Sequence, residues 1–270
     1  MTQNLVITGY GWLAGYVGEA LNDDFNIVGT SRSRDKCHAL QAQGIEALEY
    51  ALGDNTKPLE RYLPNATLLL NVPPGRRSTN LDAFTKHMLS LIDSAIRAGV
   101  GHIVFISTTS VYGDNTDETL TAQAPTNPQT ASAKAHVAIE QYLLSLREQI
   151  NVSIVRLAGL VGPDRHPARS LSGRQLEAGN KRINLVHVFD IVKALGEIIR
   201  CTPLNDTIHL CSLSHPKRGL YYVEAAKAMG IEPPDFTGTD AEPGGKVIDA
   251  RECWAQLGIT PEFADPYRMF

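Results

Sequence analysis

The 270-residue sequence lacks any apolar stretch long enough to cross a membrane. Its first apolar run, Leu5 to Ile7, is also too short for the core of a signal peptide. The 25 lysines and arginines are scattered along the chain and are outnumbered by 29 acidic residues, so no basic tract is present to bind a phosphate backbone. We therefore expect a soluble, cytoplasmic protein that binds neither membranes nor nucleic acid.

Cysteine is scarce, and the four cysteines are too far apart to form a Cys-x-x-Cys pair. This spacing is unlike that of a zinc site or a disulfide scaffold, so we expect reduced thiols. His209 and His215 also lack a neighbouring carboxylate at the spacing of metal ligands, and we expect no metal site. The cysteines are Cys37, Cys201, Cys211 and Cys253.

Short β-branched runs alternate with helical patterns, which is typical of βαβ units. The alternation predicts an α/β fold of the Rossmann type, a doubly wound parallel sheet with a smaller C-terminal substrate-side subdomain. We expect the dinucleotide-binding domain to span residues 1–157, with a later contribution from about 183–200, and the subdomain to span 158–270. The predicted strands are residues 4–8, 26–30, 66–72, 102–107 and 151–157.

A glycine-rich loop, Gly9-Tyr10-Gly11-Trp12-Leu13-Ala14, joins the first predicted strand to the first helix. Gly9 and Gly11 allow a tight turn and a close approach of the backbone to a pyrophosphate on the helix N-terminus. Any tight strand-to-helix turn could use the same glycines, but the strand before the loop and the amphipathic helix after it favour a dinucleotide site. We expect Gly9, Gly11, Trp12 and Leu13 to bind the cofactor.

The end of the second predicted strand lacks the acidic residue that would accept the ribose 2′-hydroxyl of NAD. Ser31 and Arg32 stand there instead. The planar guanidinium of Arg32 can bind a 2′-phosphate while Ser31 donates a hydrogen bond, which favours NADP over NAD. The alternative is that Arg32 is an ordinary solvated loop residue.

The segment Ser107–Gly113 resembles the Ser-Ser-x-x-Val-Tyr-Gly segment of extended short-chain dehydrogenases, the NAD-dependent epimerase/dehydratase family. Two later segments, Arg156–Pro163 and Asn184–Val188 followed by Asp190, resemble the corresponding stretches of that family. The short chain, the glycine loop and the pair Pro73-Pro74 are most similar to an atypical, YeeZ-like subgroup of the family.

The resemblance implies roles for residues at matching positions. Thr108 would polarise the substrate oxygen, and Lys134 would bind the nicotinamide ribose hydroxyls. Asn71, Val72 and Pro73, where the chain leaves the predicted strand at 66–72, would line the cofactor beside its adenosine. The same three residues would also form a rigid turn after a buried strand.

The sequence departs from the family at the catalytic tyrosine, because Thr130 stands four residues before Lys134. An aliphatic hydroxyl has no ionisation near neutral pH, whereas a phenol with a pKa near ~10 can be tuned downward by a neighbouring ammonium. Tyr112 is the surviving phenol that could replace the missing acid. His166, in the loop after the predicted strand at 151–157, could also act as an acid if it is partly buried. The simpler interpretation is that His166 belongs to a solvated loop. We expect His136 to be structural.

Two functions remain open. The first is an NADP-dependent oxidoreductase or epimerase/dehydratase-like enzyme that acts on a small hydroxyl- or carbonyl-bearing substrate, with Thr108, Lys134 and Tyr112 as catalytic candidates. The second is a non-catalytic NADP(H)-binding sensor or scaffold. By resemblance to the family, the helices at 80–98 and 130–149 would form a homodimer interface.

Overall fold

The computed structural model describes residues 2–75, 81–200 and 204–270. Asn80, the expected start of the 80–98 helix, and Cys201 lie outside these ranges. The strands within them are β1 Asn4–Thr8, β2 Asn26–Ser31, β3 Glu46–Glu49, β4 Thr67–Leu70, β5 His102–Thr108, β6 Thr119–Leu120, β7 Asn151–Leu157, β8 Gly159–Val161, β9 Gln175–Leu176, β10 Leu185–His187, β11 Thr207–Leu210, β12 Asp235–Phe236 and β13 Val247–Ile248. The helices are α1 Trp12–Leu21, α2 Arg34–Ala42, α3 Lys57–Glu60, α4 Leu81–Arg97, α5 Ala131–Ser145, α6 Ala168–Leu171, α7 Val188–Arg200, α8 Arg218–Ala228 and α9 Arg251–Gln256.

Seven of the strands form one sheet in the order β11-β7-β5-β4-β1-β2-β3. The pairs β1–β2, β2–β3, β1–β4 and β4–β5 are parallel. From β1, the chain adds β2 and β3 on one side and then β4, β5, β7 and β11 on the other. This reversal of order at β1 defines a doubly wound sheet, and ligands of such sheets bind where the order reverses, outside the carboxyl ends of the strands. The predicted fold class is confirmed.

The chain divides into two compact units. Unit 1 consists of Met1–Val111, Pro128–Val155 and Leu195–Thr207. Unit 2 consists of Tyr112–Asn127, Arg156–Ala194 and Ile208–Phe270.

The central strands of unit 1 are buried on both faces. Every residue from Leu5 to Ile7 in β1 and from Leu68 to Leu70 in β4 is inaccessible to solvent. A run of consecutive apolar residues is what a parallel strand needs when helices cover both sides of the sheet. Helix α4 contributes its apolar stripe to this core, formed by Met88, Leu91, Ile92 and Ala95.

Unit 2 has its own apolar cluster and three two-stranded parallel pairs, β8–β10, β9–β12 and β6–β13. A buried carboxylate fixes the last segment of the chain to the start of α7. The two oxygens of Asp190 accept the backbone N–H groups of Glu262 and Phe263 at 2.8 and 2.9 Å. The buried apolar cluster consists of Val161, Ala168, Ile183, Leu185, Tyr221, Tyr222, Ala225 and Met269.

Three further findings concern membrane spans, metal ligands and cysteines in the described residues. No helix among them has the length and apolar character of a membrane span. In the same part of the chain, no group of three or more metal-ligating side chains is found. Cys37, Cys211 and Cys253 are buried free thiols.

Replacing Asp190 with Asn should destabilise unit 2, because one of the two backbone N–H groups then faces an amide donor instead of an acceptor. We expect a loss of about 1–3 kcal/mol in the free energy of unfolding, measured by chemical denaturation. The control is Glu262→Gln, which removes the exposed ion pair with Lys193 and should cost much less, because exposed ion pairs contribute little to stability. Equal losses for both variants would contradict this role of Asp190.

Candidate dinucleotide site

The glycine loop approaches the end of β4 closely at Gly9. This residue has a φ of +78°, in the region that L side chains rarely adopt. A Cβ at Gly9 would lie 2.9 Å from the carbonyl oxygen of Asn71 and 3.0 Å from the side chain of Val72. Glycine is therefore required here both for its backbone conformation and for space.

Hydrogen bonds hold the loop between β2 and β4. The Gly9 N–H donates to Thr30 Oγ1 at 3.0 Å, and the Tyr10 N–H donates to the Thr30 carbonyl at 2.8 Å. On the other side, the Asn71 side-chain amide donates to the Gly9 carbonyl at 3.0 Å. Asn71, which the resemblance placed against the cofactor, thus also shapes the loop that precedes the first helix.

Helix α1 begins at Trp12, directly after this loop. Its N-cap is the exposed Gly11, which has no side chain to cap the helix, and its first turn contains no acidic residue. The positive end of the helix dipole, with the backbone N–H groups of the first turn, is therefore not neutralised by a side chain of the cap or the first turn. Such a terminus is suited to bind a phosphate group.

The turn after β2 carries the two residues expected to distinguish NADP from NAD. Ser31 is the last residue of β2, and its hydroxyl accepts the N–H of Ser33 at 3.2 Å. Ser33 in turn caps α2 by accepting the N–H of Lys36. Arg32 lies between the two serines and is exposed. Its guanidinium is thus accessible to an anionic ligand at this turn.

Thr108 is the last residue of β5, where the sheet presents its carboxyl edge. Its hydroxyl oxygen accepts the N–H of Ser110 at 3.1 Å and also lies 3.1 Å from the Ser110 hydroxyl. The preceding residue, Ser107, is buried and donates to the carboxylate of Glu140 at 2.5 Å. Glu140 is itself only 2% exposed, so this bond anchors the end of β5 to α5.

Thr130 has a defined structural role, since it is the N-cap of α5. Its hydroxyl accepts the N–H of Ala133 at 3.1 Å, and its backbone is extended rather than helical. The side chain therefore turns back onto the helix end. Lys134 is exposed in the first turn of α5 and lines a groove between α4 and α5.

Tyr112 is only 2% exposed and belongs to unit 2. Its hydroxyl lies 2.9 Å from an Arg156 guanidinium nitrogen, which donates to it, and 3.1 Å from Nδ1 of His209. His209 Nε2 lies 2.7 Å from the Asp249 carbonyl oxygen, so Nε2 carries the proton and Nδ1 accepts the Tyr112 hydroxyl. Burial lowers the pKa of His209, in keeping with this neutral form. The phenol hydroxyl thus has hydrogen-bond partners inside unit 2.

His166 is a core residue rather than part of a solvated loop. Its Nδ1 accepts the N–H of Ala168 at 3.2 Å, and its Nε2 donates to the Tyr221 hydroxyl at 2.9 Å. Burial, reinforced by the charge of Arg169, lowers the pKa of His166 to about 4. The imidazole is therefore neutral near pH 7, and the expectation of a solvated loop is wrong.

His136 was expected to be structural, and its surroundings agree with that interpretation. Its ring is buried, lies against Phe105, and donates from Nδ1 to the Ser132 carbonyl at 2.9 Å. Burial lowers the pKa of His136.

The described geometry brings most of the expected cofactor residues together in unit 1. Gly9 contacts Asn71 and Val72, and Gly11 precedes Trp12 and Leu13 at the start of α1. Sequence reasoning missed Thr30, whose side chain and carbonyl hold the loop, and Glu140, which holds Ser107. The spacing of the buried positions of α5 could have indicated Glu140, because it shares a helical face with His136 and Leu143.

The sheet order and the glycine loop define a Rossmann-type nucleotide-binding fold. The family model described as the NAD dependent epimerase/dehydratase family matches residues 5–201, and the chain belongs to this family. The chain is 30% identical over 272 residues to Protein YeeZ of Escherichia coli K12, covering 99% of this chain and 98% of that protein. It is also 26% identical to dTDP-D-glucose 4,6-dehydratase of Mus musculus over 134 residues, 45% of this chain and 37% of that protein.

Solved structures show the same fold at lower sequence identity. A functionally unknown conserved protein from Silicibacter pomeroyi superimposes with a TM-score of 0.76 at 22% identity, over 99% of this chain and 96% of that chain. UDP-glucuronic acid 4-epimerase from Bacillus cereus, solved in complex with NAD, gives a TM-score of 0.81 at 13% identity, over 99% and 95% of the two chains.

Replacing Gly9 with Ala should be much more costly than the same change at Gly44, which also has a positive φ but has nothing within 4 Å of an added Cβ. Both variants incur backbone strain of about 1–2 kcal/mol, and Gly9→Ala adds an overlap with Asn71 that costs roughly 1–3 kcal/mol more. Chemical denaturation of the two variants measures the difference. Similar losses for both would mean that Gly9 is needed only for its φ.

Proposed function

We propose that the protein is an NADP-dependent oxidoreductase or epimerase/dehydratase-like enzyme acting on a small hydroxyl- or carbonyl-bearing substrate. The observation that carries this proposal is the start of α1, an exposed glycine N-cap with no acid in the first turn, held in place by Thr30 and Asn71. A bound nicotinamide would supply hydride transfer. Similar folds solved in complex with NAD support a dinucleotide at this site.

Unit 1 contains groups suited to the adenosine half and the pyrophosphate of such a cofactor. Ser31 and the exposed Arg32 would bind a 2′-phosphate, because a guanidinium forms strong bidentate bonds to phosphate oxygens. Asn71, Val72 and Pro73 would line the adenosine side, and the start of α1 would bind the pyrophosphate. No acidic residue stands in the turn between Ser31 and Arg34 to favour a free 2′-hydroxyl.

The reacting side would depend on Thr108 and Lys134. The Thr108 hydroxyl at the end of β5 would donate to a substrate oxygen and polarise it, and the Lys134 ammonium would bind the ribose hydroxyls. A proton donor is also needed, and a positioned acid/base typically contributes roughly 10²–10⁴-fold to the rate. Tyr112 would serve as that donor only if its bonds to His209 and Arg156 were released.

The second candidate function is an NADP(H)-binding sensor or scaffold without turnover. Two observations favour it. Thr130 uses its hydroxyl to cap α5, and the Tyr112 phenol is buried with its proton donated to His209. Lys134 would serve either function, since binding the ribose does not require catalysis.

Binding and turnover measurements distinguish these functions. The purified protein is titrated with NADPH and NADH by calorimetry, and the NADPH complex is then mixed with a panel of carbonyl compounds and sugar nucleotides. Tight NADPH binding with loss of the reduced-nicotinamide absorbance would establish the enzyme. Tight binding without turnover would favour the sensor, and the absence of NADPH binding would overturn both functions.

Arg32→Ala should weaken NADPH binding by about 10–100-fold, since the charge-assisted bonds to the 2′-phosphate are worth roughly 1.5–3 kcal/mol. NADH lacks that phosphate, and its dissociation constant should change little. Arg34→Ala is the matched control, because Arg34 is also exposed but begins α2. Equal weakening of NADPH and NADH in Arg32→Ala would exclude Arg32 as the group that distinguishes them.

We also propose that the protein forms a homodimer through α4 and α5. A groove of about 750 Å³ between these helices is lined by half-buried Leu89 and by the small residues Ala131 and Ala138, which would allow close packing of a second copy. Ala138→Arg should convert a dimer into a monomer in light scattering at micromolar concentration. Ala42→Arg places the same side chain at an exposed position of α2 and should stay dimeric. A monomeric wild-type protein would exclude the dimer.

A further inference from the structure

The tyrosine between the two glycines of the loop is inserted into the body of unit 1. Tyr10 is only 4% exposed, although loop residues at such a turn usually face solvent. Its ring lies against Gly29 in the middle of β2, where an added Cβ would come within 2.6 Å of the ring carbon Cδ2. Its hydroxyl reaches α1, where a Cβ on Gly18 would overlap the phenol oxygen. The Tyr10 ring therefore fills a slot between α1 and β2.

The slot is lined by two glycines that lie inside a helix and a strand. Gly18 lies within α1 and Gly29 within β2, and neither has a positive φ. Conformational freedom therefore does not explain them, and glycine inside a helix or strand lowers stability. At both positions the Tyr10 side chain occupies the space that a Cβ would need.

Tyr10 also joins the backbone of the glycine loop to β2. Tyr10 donates its N–H to the Thr30 carbonyl, which follows Gly29 directly in β2. Gly11, the N-cap of α1, is the next residue along the chain. The ring thus fastens the loop to β2 from one side, while Asn71 holds Gly9 from the other.

We propose that Tyr10 is a positioning residue for the cofactor pyrophosphate, because its ring, seated against Gly29 and Gly18, fixes the N-terminus of α1 in the conformation that binds phosphate. This inference rests on the proposed function. The ring, rather than the hydroxyl, does the positioning, since the contact with β2 is made by the ring carbons, whereas the hydroxyl oxygen lies against Gly18 of α1.

Binding of two ligands separates positioning from a general loss of stability. NADPH carries the pyrophosphate that the start of α1 would bind, whereas 2′-AMP carries the adenosine and the 2′-phosphate without a pyrophosphate. Tyr10→Ala should weaken NADPH binding by about tenfold or more, because a loop that must be ordered on binding reduces affinity, and should leave 2′-AMP binding unchanged. Tyr10→Phe should bind both ligands like the wild type. Calorimetry is performed at a temperature at which circular dichroism shows every variant folded.

A second set of variants tests the slot itself. Gly29→Ala should weaken NADPH binding in the wild-type background but add nothing in the Tyr10→Ala background, because the overlapping ring is then gone. Gly18→Ala should also weaken NADPH binding. Tyr10→Phe, which removes the overlapping oxygen, should restore part of that binding in the double variant. If Tyr10→Ala fails to fold, the comparison of Gly18→Ala with and without Tyr10→Phe still tests the slot, because both proteins keep the ring.

The outcomes distinguish this inference from the proposed function. If the wild type binds NADPH and Tyr10→Ala binds it equally well, or loses NADPH and 2′-AMP binding to the same extent, the positioning role is wrong and the proposed function is unaffected. If Gly29→Ala weakens NADPH binding equally in both backgrounds, the slot is not what positions the loop. If the wild type binds no NADPH, the proposed function and the inference are both overturned.

Discussion

The candidate site depends on one close approach of backbone to backbone, that of Gly9 to the end of β4. Gly9 comes so near to Asn71 that no side chain fits between them, and the Asn71 amide then closes the gap with a hydrogen bond. Thr30 holds the opposite side of the loop. Three neighbouring strands, β2, β1 and β4, therefore fix where α1 begins. The start of the helix is held in place by its bonds to the sheet.

That rigidity matters because a helix N-terminus binds phosphate through groups that cannot reorient. The N–H groups of the first turn point along the helix axis, so their direction is set wholly by how the helix starts. Gly11 keeps this terminus free of a capping side chain, and no acid of the first turn competes with an anion. An exposed cationic residue, Arg32, follows the neighbouring strand β2. Thr30, which holds the loop, lies two residues before Arg32.

Local patterns in the sequence were sufficient for the fold and for the location of the loop. Buried runs such as Leu68–Leu70 predict parallel strands, whereas β3, only four residues long at the sheet edge, lacks such a run and was not predicted. The contacts that shape the site are non-local: Thr30 and Asn71 lie 21 and 62 residues from Gly9, a separation that no periodicity reveals. The cap at Thr130 was open to prediction, because threonine before a helix is a common N-cap.

The N-cap role of Thr130 explains how the family helix persists without its tyrosine. The position still performs a task that the helix needs, since its hydroxyl satisfies a backbone N–H that would otherwise lack an intrahelical partner. The phenol of Tyr112, the candidate to replace that tyrosine, lies in a chain of bonds from Arg156 through His209 to the Asp249 carbonyl. Drawing a proton from Tyr112 would leave an anion beside the Arg156 guanidinium, inside a buried cluster. Release of these bonds is thus the condition under which Tyr112 could transfer a proton.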